Sequence, residues 1–446
     1  MLTTFIRWVA IGCIARVATL SPVTRDIPAR AATTTGVVGG VGTMLGAGVF
    51  VGIAPAAGLA GRWMLVGLAV AALAAVCTAC SFTDLARAYP GLGGGHRYAR
   101  DLLGRWPGRM SGGVGLLGRV AGIAAIAGTF GAYVTPRDPH LGALVMVALA
   151  VGAELAALRL PNVLSRTLVV VVLIALAVVV AVCFAVPVPH QALVPAPAGL
   201  PGADDPAQLL PAAGVLFIGF LGGERGEARG RQRPKIMLPL VILAALGTYL
   251  AVSTALLREL GPARMALSPD PLREALAAAG ASAFDPILIA GVAAATIAVL
   301  FALVSGTRQT MQAMADAGDL PIAFGSGGFD RAAAGALTVG AAAVLAMVAL
   351  RPIAAIQLCA TCALFAAAFT NAAARLLERH ERVWPARTAC FGLGLSVLLV
   401  IAMPPVSLAL AVLAMGVGAG IGPLVALTRR KPVPDKPGHA QRALKI

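Results

Sequence analysis

Charge is scarce in this chain of 446 residues: 12% are Asp, Glu, Lys or Arg, against about 25% in a soluble domain. Acidic residues are fewest, 19 against 35 Lys and Arg, and there are five His. No stretch carries a His-Glu-x-x-His arrangement, and the loop Gly93-Gly94-Gly95 lacks the Lys and Ser/Thr of a phosphate loop. The seven cysteines show no disulfide framework. These shortages argue against a soluble multidomain enzyme, a secreted disulfide scaffold and a disordered chain. With no catalytic cluster in view, neither an enzyme nor a cofactor or metal site is expected.

What the sequence does have is apolar length. Hydrophobic residues make up 59% and the mean hydropathy is +0.88. A bilayer core needs roughly 20 apolar residues per helix, and runs of that kind lie near 34–57, 63–83, 111–135, 141–158, 167–186, 208–223, 236–257, 287–305, 333–350, 353–374, 388–403 and 405–427. The spacing predicts an all-α integral membrane protein of twelve transmembrane helices.

The net charge of +16 and pI near 10.7 suggest nucleic acid until the basic residues are located. They fall in short segments between apolar runs and form no groove-binding cluster, so no nucleic-acid partner is expected. Alternate segments hold 28 and six of the 35, with Arg119 alone inside a span. The positive-inside rule then places both termini in the cytoplasm, in a multi-pass protein of the cell membrane whose basic loops meet anionic lipids. Residues 1–32 read as a cytoplasmic or interfacial lead segment interrupted by Arg7 and Arg16, and 428–446 as a disordered basic tail.

Two spans are unusual. The first carries Gly40, Gly42, Gly46 and Gly48 in mid-run, each costing about 1 kcal/mol relative to Ala in a helix. The sixth, five spans later, carries Gly214, Gly219, Gly222 and Gly223 and turns polar at once. Small residues also suit close helix packing, but a matched pair of interrupted spans points to an inverted-repeat transporter with a midplane site. A helix that stops and restarts in a cavity offers bare N–H groups to an anion and bare carbonyls to a cation, which suits a zwitterion.

Three motifs now carry a family resemblance. Gly42 to Phe50 is similar to the glycine-rich signature of the amino acid–polyamine–organocation (APC) transporter superfamily. Asp84-Leu85-Ala86-Arg87 through Gly93-Gly94-Gly95-His96-Arg97-Tyr98-Ala99-Arg100 resembles the loop after that family's second span. Ser305 to Pro321, with Arg308, Ala313-Met314-Ala315 and Asp316-Ala317-Gly318-Asp319-Leu320-Pro321, resembles the loop after its eighth. The resemblance runs nearly end to end. It implies a ten-helix core of two inverted repeats of five over 33–377, with two further helices over 378–427. It also implies that Met44, Gly46, Ala47 and Gly48 line the substrate backbone site. Amides near Ala47 and Gly48 would meet a carboxylate, and carbonyls of Phe217, Ile218, Gly219 and Met44 an amine. The chain departs from the family at Ala47, where some members have Ser, and at Val215, where some place a gating aromatic.

Several ionisable residues have two readings. Arg119 suits either a structural cation paired to a buried carbonyl or to Glu224, or a fixed charge or substrate contact; in the second case cationic substrates are disfavoured. Glu154, about a turn from Arg159, reads as interfacial. Glu224 and Glu227 suit either loop carboxylates paired to arginines or proton-coupling groups. The pairs Cys77/Cys80 and Cys359/Cys362 lie inside apolar spans and read as packing residues.

The function expected is secondary active transport of an amino acid or related amine by alternating access, coupled to protons, with membrane lipids as the surroundings. Exchange of one amino acid for another is the second reading. The third is a transport-inactive membrane sensor or partner subunit, favoured by Ala47 and by the polar second half of the sixth span.

Overall fold

With no water in hydrocarbon to satisfy the backbone, an apolar chain of this kind is driven to helix, and every regular element among the described residues is helical. The computed structural model describes residues 44, 48–89, 94–158, 162–187, 200–221 and 234–428, excepting the side chains of 162, 234–237 and 424–428. All of these fall in the unit Gly36–Ile446.

In chain order the helices are α1 (48–60), α2 (Met64–Ala88), α3 (Gly94–Leu103), α4 (Arg105–Val134), α5 (Pro139–Leu155), α6 (Asn162–Ala185), α7 (Leu209–Leu216), α8 (Pro234–Glu259), α9 (Gly261–Leu267), α10 (Pro271–Ala278), α11 (Asp285–Asp316), α12 (Phe329–Ala349), α13 (Pro352–Ala374), α14 (Ala386–Ile401) and α15 (Pro405–Thr428). Proline opens many of them, at the position where its missing N–H costs nothing. Among the described residues, eight helical segments are long and apolar enough to cross a membrane; Pro139–Leu155, Pro206–Phe220 and Ala386–Ile401 are shorter apolar helices. Large side chains such as Leu243, Leu345, Val348, Ile401 and Leu413 are exposed, as befits a surface solvated by lipid. The protein is a multi-pass helical membrane protein.

Two motif segments read as loops in the sequence are largely helical. The run after Ser305 continues α11 to Asp316, because Gln309, Met311, Gln312, Ala313, Met314 and Ala315 are good helix formers. It stops only at Gly318 (φ +83°), where the Asp319 amide donates to the Met314 carbonyl at 2.8 Å. The run after Pro90 forms α3, joined to α4 through Gly104 at φ +104°. Residues 90–93 lie outside the described residues.

The long helix α4 is the packing hub, in contact with α3, α5, α11, α12, α13 and α15. Its glycines make this possible. A Cβ at Gly118 would overlap Cys362, one at Gly122 would press on Cys359 Sγ at 3.1 Å, and one at Gly113 would overlap the Ala414 carbonyl of α15. Both cysteines of the 359/362 pair are therefore seated against a small-residue stripe. Cys77 and Cys80 are likewise buried, in α2.

Candidate functional site

The helix of the sixth span changes character near its described end. The α-helix α7 ends at Leu216, tightens into a 3-10 turn over Phe217–Phe220, and becomes extended at Leu221 (φ −69°, ψ 137°). Gly222 and Gly223 lie outside the described residues, as do Gly46, Ala47, Glu224 and Glu227. On the first span Met44 is helical and buried, and α1 runs from Gly48.

The two glycine tracts meet. A Cβ on Gly48 would overlap the Gly219 Cα, so at this point the two backbones are in direct contact. Between them lies Tyr249 of α8, wholly buried, whose hydroxyl is within donating distance of the Met44 carbonyl (3.3 Å) and the Gly219 carbonyl (3.1 Å). A Cβ on either Gly48 or Gly219 would overlap that hydroxyl. The Tyr249 ring packs on Phe220 with centroids 5.4 Å apart. Phe217 and Val215 are buried beside the junction, while Ile218 is half-buried and packs towards α4 and α13. Of the expected site residues, then, Met44, Gly48 and Gly219 are brought together, with Phe217 in the adjoining turn.

Tyr249 was missed in the sequence. The signal was available: it is one of only four tyrosines and stands in mid-span, where a hydroxyl needs an acceptor. Chemically the junction presents two backbone carbonyls, those of Met44 and Gly219, each with a lone pair beyond the one facing Tyr249.

Arg119 is tied in part to α11. From α4 it donates to the Gly306 carbonyl at 2.8 Å and to the Thr310 hydroxyl, both on α11. Glu154 is paired with Arg308 of α11 at 2.5 Å.

A second polar centre joins the two motif segments. The buried carboxylate of Asp319, just past α11, accepts from Arg100 and His96 (3.2 Å), four residues apart on α3, and from Arg109 Nε of α4 at 2.8 Å. Arg100 also donates to the Ala317 carbonyl at 2.9 Å. Burial alone would raise the Asp319 carboxyl, but the hydrogen bonds from His96, Arg109 and Arg100 and the charge of Arg100 override it and hold the group at about 2. A cavity of about 330 Å³ adjoins this centre, lined by Arg97, Arg100, Asp101, Gln309 and Asp316 among others. A third, uncharged centre is Asn371 of α13. It accepts from Ser81 (2.7 Å) and donates to Thr78 (3.1 Å) of α2 and to Ser396 (3.4 Å) of α14.

No protein-family model matches the chain. An uncharacterized transporter of Mycobacterium bovis is 36% identical over 319 residues, covering 67% of this chain and 69% of its own. Uncharacterized transporters from two strains of Mycobacterium tuberculosis show the same identity and coverage. With its multi-pass helical architecture and this extent of likeness, the chain belongs to the family of these mycobacterial transporters.

Proposed function

We propose that the protein is a secondary active transporter of the APC type, moving an amino acid or a related amine across the cell membrane by alternating access and coupled to protons. The observation that carries this reading is the Tyr249 bridge, which joins the first and sixth spans at the glycines where a pair of interrupted helices would form a midplane site. The carbonyls of Met44 and Gly219, with those of Phe217 and Ile218, would take the substrate ammonium; amides following the first-span break, near Ala47 and Gly48, would take a carboxylate.

The twelve-span reading draws support from the helices. Gly48–Ala88 counts as two spans on either side of the Gly61–Trp63 turn, and Pro139–Leu155, Pro206–Phe220 and Ala386–Ile401 count as short ones. With basic residues on alternate segments, the positive-inside rule supports cytoplasmic termini for this reading. The ten spans to residue 377 would form the inverted-repeat core, with α14 and α15 as the added pair.

The test is uptake of a mixture of the twenty labelled amino acids into proteoliposomes holding the full chain, under an inside-alkaline pH gradient. Uptake above protein-free vesicles is expected. No uptake, together with no thermal shift by any of the twenty or by simple diamines, overturns the reading. Uptake indifferent to the gradient but accelerated by internal amino acid makes the protein an exchanger.

A further inference from the structure

Glu259 ends α8, the helix that carries Tyr249. It is 2% exposed, and among the described residues neither carboxylate oxygen has a hydrogen-bond partner. A buried carboxylate in this state is among the most costly groups a protein can hold, and binding a proton removes the charge that makes it so.

The charged and titratable groups close enough to act on Glu259 are Arg258 beside it, Arg264 of α9 and the thiol of Cys183 on α6. Arg264 is hydrogen-bonded elsewhere and Arg258 only in part, its Nε being buried with no hydrogen-bond partner among the described residues. Arg258 donates to the Val186 carbonyl at 3.3 Å and lies 5.4 Å over the Phe184 ring. Arg264 is paired with Glu274 of α10. Arg273 of α10 bonds Asp285 at 3.3 Å. On α2, which also packs against α8, Asp84 accepts the amides of Val383 and Trp384 at 2.9 and 3.4 Å, and Arg87 lies a turn further along.

We propose that Glu259 is the proton-binding site of the transporter, taking up and releasing one proton per cycle; this rests on the proton-coupled carrier reading given above. In the arrangement described, the dry site holds the neutral acid, with the proton on one carboxylate oxygen. When this end of α8 becomes hydrated, that O–H bond breaks, the proton passes to water as hydronium, and the carboxylate left behind is favoured by the nearby Arg258 and Arg264. Ten residues, or about 15 Å of helix rise, separate Glu259 from Tyr249. A tilt of α8 that wets Glu259 therefore also shifts the hydroxyl bridging the two glycine tracts, which links proton release to the grip on substrate.

Two measurements test this on the full chain in liposomes. Infrared spectroscopy at pH 7 should show the carbonyl stretch of a protonated carboxylic acid, absent in Glu259→Gln and kept, at a shifted position, in Glu259→Asp. An unchanged spectrum in Glu259→Gln overturns the proposal. In the uptake assay with the twenty labelled amino acids, a gradient of about one pH unit supports about tenfold accumulation per coupled proton. Glu259→Gln should abolish that accumulation while exchange without a gradient persists, and Glu259→Asp should keep it. Accumulation retained in Glu259→Gln, or wild-type accumulation that follows a sodium gradient in place of the pH gradient, also overturns it. If the wild type moves no amino acid at all, the carrier reading fails, and the infrared result still decides whether Glu259 holds a proton.

Discussion

Tyr249 holds two distant chain segments together through one hydroxyl, and the energetics of that arrangement can be tested. Tyr249→Phe keeps the ring contact with Phe220 and removes the donor shared by the Met44 and Gly219 carbonyls. A buried hydrogen bond is worth about 1 kcal/mol, and an orphaned carbonyl costs about 1–3 kcal/mol. The variant should therefore fold with a modestly lower melting temperature by thermal shift, yet lose most uptake; full uptake in Tyr249→Phe would remove the bridge from the mechanism. Asp319 is held more strongly. Replacing it with Asn leaves the half-buried Arg100 and Arg109 without their carboxylate, a loss of about 1–3 kcal/mol. Its carboxyl sits at about 2, below the 3.8 of an unperturbed Asp. Its contribution is thus complete above about pH 4 and is lost as pH falls towards about 2. Melting temperatures measured across that interval should drop in the wild type and drop less in Asp319→Asn.

At the scale of elements, glycine decides where helices touch. Gly48 and Gly52 stand one turn apart on α1 and make a discriminating pair. A Cβ at Gly48 would overlap Gly219 and Tyr249, whereas at Gly52 nothing lies nearer than 3.9 Å. Gly48→Ala is expected to push α1 off the sixth span and abolish uptake, while Gly52→Ala keeps both uptake and melting temperature; equal behaviour of the two would refute close contact at the junction. The same logic explains α4. Its stripe of Gly113, Gly118 and Gly122 lets α13 and α15 approach to backbone distance, and packing of this kind drives helix association in lipid, where apolar burial offers little. The sixth span is a different case, since its α-helix yields to a 3-10 turn at Phe217, within an apolar run that would support more helix. The Gly219 backbone is free to accept that turn, and Tyr249 takes up its carbonyl.

For the whole molecule, the alternation of basic segments makes a topological prediction. Alkaline phosphatase fused after Ala279 should be active and a fluorescent protein at the C-terminus should fluoresce, because the first lies in a segment poor in Lys and Arg and the second in a rich one. The reverse pattern would invert the orientation and move Glu259 to the cytoplasmic end of α8. The sequence by itself determined that the chain is helical and lives in lipid, since long apolar runs must satisfy their own backbone in helices whatever their neighbours are. It also marked the two glycine tracts, because glycine's cost in a helix is local. Only the tertiary structure decided that these tracts meet at Tyr249, that Arg119 bonds to α11, that Asp319 ties α3 and α4 to the end of α11, and that Glu259 is buried with no hydrogen-bond partner among the described residues. Those facts depend on which face each helix turns to its neighbours. In spans apolar on every side, no periodicity records that rotation.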